Sequence, residues 1–463
     1  MPARLPKHLP AKPNRRRRWL VLGLVLVVAA TGLGSVGWIC NALAYRNLTQ
    51  RRLVAADGWA RWGAMLSGLG GVDWPLRLSL ERKLGRIPEF ERASVAAMAA
   101  GVAPELIQAE QMLIVAQSGE LEQPEAVLSQ LIQADLVSGR EIFEAFTNGA
   151  SANYRMDDAL YLIENWQQDY PTDPLPHMLR GRIAEHQSNW TLASEQYLTA
   201  LQLAPSFGPA SYNLARVKLG QSQLNEAEVN YQQAARTLEL PQPAWAGLAH
   251  CERLKGHLVE SERLLERVLA ADTETRSLAY RLVGDTADSG KTSPLVERGE
   301  LRLAQERPEE AVADFEAALR EQPRNTAIRF HLANALRKAG RAEESRREYD
   351  AVRAAREELS HLTAVLEQVH RQPDDPEPRT RLGKMFLSYI SERQGLVWLQ
   401  SALHLDPQYQ PAHAALARYY RSLEPATEES QRLAERHAAA AGAALDDGAA
   451  ESPARPVTES APE

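Results

Sequence analysis

The chain has 463 residues, few aromatics and 53 basic against 60 acidic side chains, with a formal net charge of −7. An acidic balance argues against a nucleic-acid backbone as the main partner. Two cysteines, Cys40 and Cys251, give no disulfide framework, and a composition rich in Ala, Leu, Glu, Arg and Gln predicts helix throughout.

Residues 1–18 hold seven Lys and Arg and no acid, which leaves 46 basic against 60 acidic residues beyond them. They form a basic tail. Trp19 to Cys40 follows as 22 residues without a charge. As a helix this run reaches about 33 Å, against a hydrocarbon core of roughly 30 Å, and predicts one transmembrane helix over 19–40. Arg15, Arg16, Arg17 and Arg18 abut it, so the positive-inside bias places the N-terminus in the cytoplasm and the bulk outside. Other readings stay open. Ala42-Leu43-Ala44 resembles a cleavage site, and Arg16-Arg17-Arg18-Trp19-Leu20 suggests a twin-arginine address. Residues 41–72 form a juxtamembrane segment whose Trp59 and Trp62 suit either the lipid surface or packing on the first repeat.

Helix-turn-helix units then begin, degenerate at first. Trp74, Leu78 and Gly85 fit one, and Leu106, Leu113 and Ala126 a second. From Phe143 three rows share one spacing. Small residues opening the second helix of each unit (helix B) are Ala159, Ala193, Ala227, Ser261, Ala311, Ser345 and Gly395. Their steps are 34, 34, 34, 50, 34 and 50 residues. Large residues four places on are Tyr197, Tyr231, Leu265, Phe315, Tyr349 and Leu399. Small residues in the first helix (helix A) are Gly181, Ala215, Ala249, Gly299, Ala333, Gly383 and Ala417. Small residues let two helices approach, and the residue at i+4 shares their face and fills the gap. Pro171, Pro205, Pro323 and Pro407 fall where helix B must stop.

A period of 34 is the mark of a repeat solenoid. Ala-x3-Tyr-x2-Ala-Leu at Ala193 to Leu201, followed by Pro205, resembles the tetratricopeptide consensus. So does Ala311-x3-Phe-x2-Ala-Leu followed by Pro323. The resemblance covers roughly residues 74 to 440. It implies an all-α fold: a right-handed superhelix of about eight to ten repeats over 73–440, with a concave groove lined by helix A. The chain is also similar to membrane-anchored tetratricopeptide-only proteins of planctomycete-type bacteria.

Each 50-residue step carries extra residues, at 274–292 and 355–372. In the second, Leu359, Leu362, Leu366 and Val369 keep helical spacing, so helix B is expected to run on to about His370. In the first, Gly284 to Thr292 is one residue too long for a phosphate loop and has no preceding strand; a flexible loop is expected. Residues 441–463, rich in Ala, Pro, Ser and Glu, are expected to be a disordered acidic tail.

The chain holds no His-Glu-x-x-His, Cys-x-x-Cys or Gly-x-Ser-x-Gly. No enzyme activity, metal or cofactor is expected. The expected function is a scaffold whose groove binds a protein or peptide, anchored in the bacterial cytoplasmic membrane with its repeats outside the cytoplasm. Two alternatives are an assembly factor for envelope or cytochrome c complexes and a substrate-recruiting subunit of a separate enzyme. One place after the small row of helix A come Arg182, Arg216, His250, Glu300, Asn334, Lys384 and Arg418. Three places further come Glu185, Leu219, Arg253, Leu303, Arg337, Leu387 and Arg421. This face is more basic than the rest of the chain and suits an acidic peptide. The family's carboxylate-clamping members imply one more residue, Asn213, at their Asn place. Met178 stands where those members carry Lys. The candidate groove residues are thus Arg182, Asn213, Arg216, Arg253, Asn334 and Lys384.

Overall fold

The computed structural model describes residues 36–442 apart from 67–71, 120, 122, 285–292 and 424–425. The basic tail, most of the apolar run, the loop after Gly284 and nearly all of the acidic tail therefore lie outside the described residues. No helix among the described residues is long and apolar enough to cross a membrane. All regular structure described is helical. The chain divides into two compact units, Met1–Met112 and Leu113–Glu463.

In the first unit, α1 (36–49) turns at Arg51 into α2 (Leu53–Leu66). The pair crosses closely at Gly63. A Cβ there would strike the Asn41 side chain and come 3.3 Å from the Gly37 carbonyl. Ala44, Ala56 and Ala60 then bury Leu76 and Leu80 of α3 (Trp74–Lys83), which starts where Asp73 accepts a hydrogen bond from the Leu76 amide at 3.2 Å. Next comes α4 (Ile87–Ala99). A buried ionic cluster ties these helices. Asp57 faces Arg61, Arg77 and Arg86 at 3.0, 3.3 and 2.8 Å. Glu81 pairs with Arg77, and burial pushes its carboxyl upward against that pairing. Arg82 meets Glu110 of α5 (Pro104–Ser118) at 2.7 Å with both side chains buried.

The second unit takes up the end of α5 and α6 (Pro124–Ala134). Helices A and B then alternate as α7 (Gly139–Ala152) and α8 (Met156–Asp169), α9 (Leu175–His186) and α10 (Trp190–Leu203), α11 (Gly208–Gly220) and α12 (Leu224–Thr237). The next pair is α13 (Gln242–Leu254) and α14 (Leu258–Leu269), followed by an additional helix, α15 (Thr273–Leu282). Then come α16 (Pro294–Ala304) and α17 (Pro308–Glu321), and α18 (Thr326–Lys338) and α19 (Ala342–Leu359). After a second additional helix, α20 (Leu362–Arg371), the chain ends in α21 (Pro376–Tyr389) with α22 (Glu392–Leu405) and α23 (Gln410–Arg421) with α24 (Glu428–Ala441).

The rows meet as their spacing requires. A Cβ on Gly181, Gly299 or Gly383 would come 2.6 Å from Tyr197, Phe315 or Leu399, the large residue of its own helix B. Where helix B opens with serine, the hydroxyl bonds helix A instead: Ser261 donates to the Ala249 carbonyl at 2.8 Å and Ser345 to the Ala333 carbonyl at 2.9 Å. Tyr154, Ser188, Ser222, Gly256, Glu306 and Gly340 occupy one turn position between helices A and B. All six are left-handed, with φ from 54° to 83°. The residue after each donates back to the end of helix A, as Asn189 does to the Ala184 carbonyl at 2.8 Å. Successive helices A pack on one another, α9 on α11, α11 on α13, α16 on α18 and α21 on α23, more closely than successive helices B do. Helix A therefore lines the inner side of the curve.

Two features depart from a plain array. The helix expected to run on to His370 breaks at Ser360. The Ser360 hydroxyl donates to the Glu357 carbonyl at 2.7 Å, and α20 turns to bury Val365 and Val369 against Leu382 and Trp398. The unit also closes on itself. The Asn153 carbonyl, in the α7–α8 turn, accepts from Arg379 at 3.1 Å and from Ser401 at 2.7 Å. The Tyr154 ring stacks on Trp398 with centroids 3.6 Å apart and 12° between the planes.

Candidate functional site

Arg182, Asn213 and Arg216 come together on the inner face of α9 and α11. Asn213 is fully buried. Its Nδ2 donates to the Pro209 carbonyl and, across 70 residues of sequence, to the Val283 carbonyl, each at 2.9 Å. Its Oδ1 accepts from Arg216 at 3.2 Å. Arg216 also meets Glu185 at 2.6 Å, and Glu185 accepts in turn from the Tyr197 hydroxyl. Burial and that carboxylate hold the Tyr197 hydroxyl well above its usual range, so it stays a donor. Arg182 lies against Gly284, where an added Cβ would come 2.7 Å from its Nη1.

His186 closes the last turn of α9, edge-on to Tyr154 with ring centroids 6.3 Å apart. Desolvation by the surrounding helices, then the charges of Arg182 and Arg216, lower its pKa to about 4. His186 is exposed as a residue, but two guanidinium neighbours still favour its neutral form. His186, Tyr154, Glu185, Val283 and Gly284 belong to this site and stood outside the candidate list. Glu185 was visible in the row beside Arg253. His186 lies on helix A and Tyr154 at the repeated A–B turn, but neither shares a side-chain type with its counterparts in the other repeats, and Val283 and Gly284 fall in the extra stretch that the period does not cover.

Each remaining candidate engages its own surroundings. Arg253 grips Glu297 through Nε at 2.5 Å and Nη2 at 3.3 Å, with His250 on the same carboxylate at 2.7 Å. The Asn334 Oδ1 accepts from the Tyr349 hydroxyl at 2.5 Å. Lys384 stands half-buried on α21 beside Gly383. Between them Glu300 holds His331 at 2.6 Å. The hydrogen bond from His331 lowers the Glu300 pKa, against a smaller rise from burial. On the inner face Arg216 and Arg253 are thus set against acids, Glu185 and Glu297. What remains open to an incoming chain is a pattern of hydrogen-bonding groups rather than a bare positive field.

The tetratricopeptide repeat family model matches residues 302–368, which cover the end of α16 and run into α20. No curated protein matches the chain. Among solved structures it is similar to the anaphase-promoting-complex hetero-tetramer Cut9-Hcn1, at 13% identity over 87% of this chain and 76% of that one, with a TM-score of 0.42. It is similar also to a tetratricopeptide repeat protein from Parabacteroides merdae, at 13% identity over 65% and 99%, with a TM-score of 0.34. YrrB, described as a tetratricopeptide protein with an unusual peptide-binding site, is 17% identical over 48% and 97%, with a TM-score of 0.27. The fold is a tetratricopeptide-like solenoid, a scaffold suited to protein–protein interaction.

Proposed function

We propose that this chain is a membrane-anchored scaffold that captures a protein or peptide on the inner face of its repeats. One observation carries the reading. Asn213, buried on helix A, donates to a backbone carbonyl from a distant stretch of chain, so the inner face already holds peptide backbone. A donor fixed in a dry, prebuilt site costs little to align, which favours binding. Arg216 and Arg253 are already held by Glu185 and Glu297. Arg182 and Lys384 direct the preference toward an acidic segment, with Asn213 and Asn334 as the hydrogen-bonding groups of the face.

The anchor reading rests on the uncharged run and on the hairpin that follows it. Trp38, at 72% exposed, and Ile39 share one end of the α1–α2 pair with Trp62 and Met65, both also exposed. The Gly63–Gly37 approach sets this pairing. That end adjoins the uncharged run, where aromatic rings suit a membrane–water interface. The setting proposed is the bacterial cytoplasmic membrane, with the repeats outside the cytoplasm.

Two experiments test the two halves. Detergent-solubilised full-length chain should capture a partner that Arg182→Glu combined with Asn213→Ala loses, with helix content unchanged. A folded double variant that keeps every partner sinks the groove. The chain should resist carbonate extraction from membranes. A reporter fused after Ala440 that works only in the cytoplasm reverses the topology.

A further inference from the structure

The inner face that would receive a partner already has an occupant. The first irregular step adds 16 residues to the 34-residue period, and α15 lies within that excess. It begins at Asp272, which accepts from the Thr275 amide at 2.8 Å, so it is a capped helix in its own right. Its far end crosses three successive helices A. Val283 is fully buried in a cluster with Cys251 of α13 and Tyr212 and Ala215 of α11. The Val283 carbonyl accepts from Asn213 of α11. Gly284, at φ 74°, lies against Arg182 of α9.

The chemistry of that contact is specific. The last carbonyls of a helix have no partner within the helix and form the negative end of its dipole. Asn213 supplies a donor to one of them, and Arg182 places a positive charge beside the same end. Glycine fits at 284 because it accepts a left-handed φ and has no Cβ to meet the guanidinium. The apolar residue just before it fills the space between α11 and α13.

We propose that the inner face around Asn213 and Arg182 is a receptor for the carbonyl end of a short helix closing in an apolar residue and glycine, and that α15 is its resident ligand. A partner segment of the same kind binds there by displacing α15. This deepens the peptide-groove reading and rests on it. The affinity seen by a partner is then lowered by the fraction of chains in which α15 is seated.

The test uses the chain's own segment as probe. Deleting residues 273–288 from the full-length protein restores a 34-residue step. A fluorescein-labelled peptide of residues 273–284, amidated at its C-terminus, is titrated in detergent and followed by anisotropy. The deletion variant should bind it at least tenfold more tightly than the intact chain, and Asn213→Ala in that background should lose at least tenfold. Equal binding with and without Asn213 overturns the receptor. If the deletion unfolds the repeats, Gly284→Val in the intact chain decides. Amide exchange over 279–284 should rise at least tenfold while 193–231 stays protected; unchanged exchange overturns the proposal. Should Gly284→Val free the segment yet leave capture of a partner at its wild-type affinity, displacement is wrong and the groove reading stands.

Discussion

Glycine and tyrosine at one crossing show what a single residue decides here. Gly181 leaves no room for a methyl group against Tyr197, whose hydroxyl is pinned to Glu185. Gly299 meets Phe315 in the same way, and both rings are fully buried. In a free helix, alanine for glycine gains about 1 kcal/mol. Here overpacking costs about 1–3 kcal/mol, so Gly299→Ala is expected to destabilise α16 and α17. Faster amide exchange over those helices checks this, and slower exchange removes the crossing as an explanation. The turn position predicts the opposite sign. Ser188 sits at φ 58°, a region costing a non-glycine residue about 1–2 kcal/mol. Ser188→Gly should raise stability by about 0.5–1 kcal/mol after glycine's own entropy cost, seen as a higher denaturation midpoint. The small and large rows were legible in the sequence because repetition exposes them. The left-handed turn was not: its occupants are Tyr, Ser, Ser, Gly, Glu and Gly, a set with no shared side-chain chemistry. Nor were the pairings of Arg216 with Glu185 and of Arg253 with Glu297, since each acid comes from another helix and the two offsets differ.

Helices A and B were legible as pairs; the two additional helices were legible only as excess length. The extra stretch at 355–372 has helical spacing throughout and neither glycine nor proline before Pro373, so nothing local announces the break at Ser360. Tertiary burial of Val365 and Val369 against Trp398 decides it. The last pair illustrates how an element's hold depends on proton balance. His413 of α23 and His437 of α24 meet through their Nδ1 atoms at 2.8 Å, and the His413 Nε2 faces the Pro407 carbonyl at 3.0 Å. His413 therefore donates from Nε2 and accepts at Nδ1, so a neutral His437 donates. Burial, then His413 and Arg436, push the His437 pKa down to about 4. A histidine depressed from 6.5 to about 4 binds its proton more readily unfolded. Its stabilising share is complete above pH 6.5, falls as pH drops from 6.5 towards 4, and is gone below about 4. The protection of the α24 amides, taken relative to their intrinsic exchange rate at each pH, should fall across that window, and His437→Gln should flatten the dependence. An α24 that frays equally at pH 7 and pH 4.5 overturns this account.

Curvature of the second unit is set by more than its repeats. Each repeat touches its neighbours, and stacking alone gives an open spiral. The α7–α8 turn instead meets α21 and α22, six repeats on. Tyr154 is stacked on Trp398, and Arg379 spans the Asn153 carbonyl, the Pro373 carbonyl at 3.1 Å and the Ser401 hydroxyl. Arg379 is buried with no carboxylate partner among its hydrogen bonds, and desolvation lowers its pKa from the usual arginine value. Such a guanidinium is kept for its geometry, since three neutral acceptors repay only part of the cost of removing it from water. A contact spanning 226 residues leaves no trace in any period of 34, which is why the sequence predicted a spiral without predicting its closure. Closure reaches the proposed groove, because Tyr154 also lies edge-on to His186, beside Arg182. Removing the Tyr154 ring should cost the closed form about 2 kcal/mol of stacking and burial, a shift of roughly thirtyfold toward the open form. Tyr154→Ala with Arg379→Met is therefore expected to raise the radius of gyration in small-angle scattering while circular dichroism keeps its helix signal. Exchange should quicken at 151–155 and 398–404 together. An unchanged radius with those two stretches still protected would mean that the stacked repeats alone hold the unit closed, and that Tyr154 merely fills the space the curve leaves.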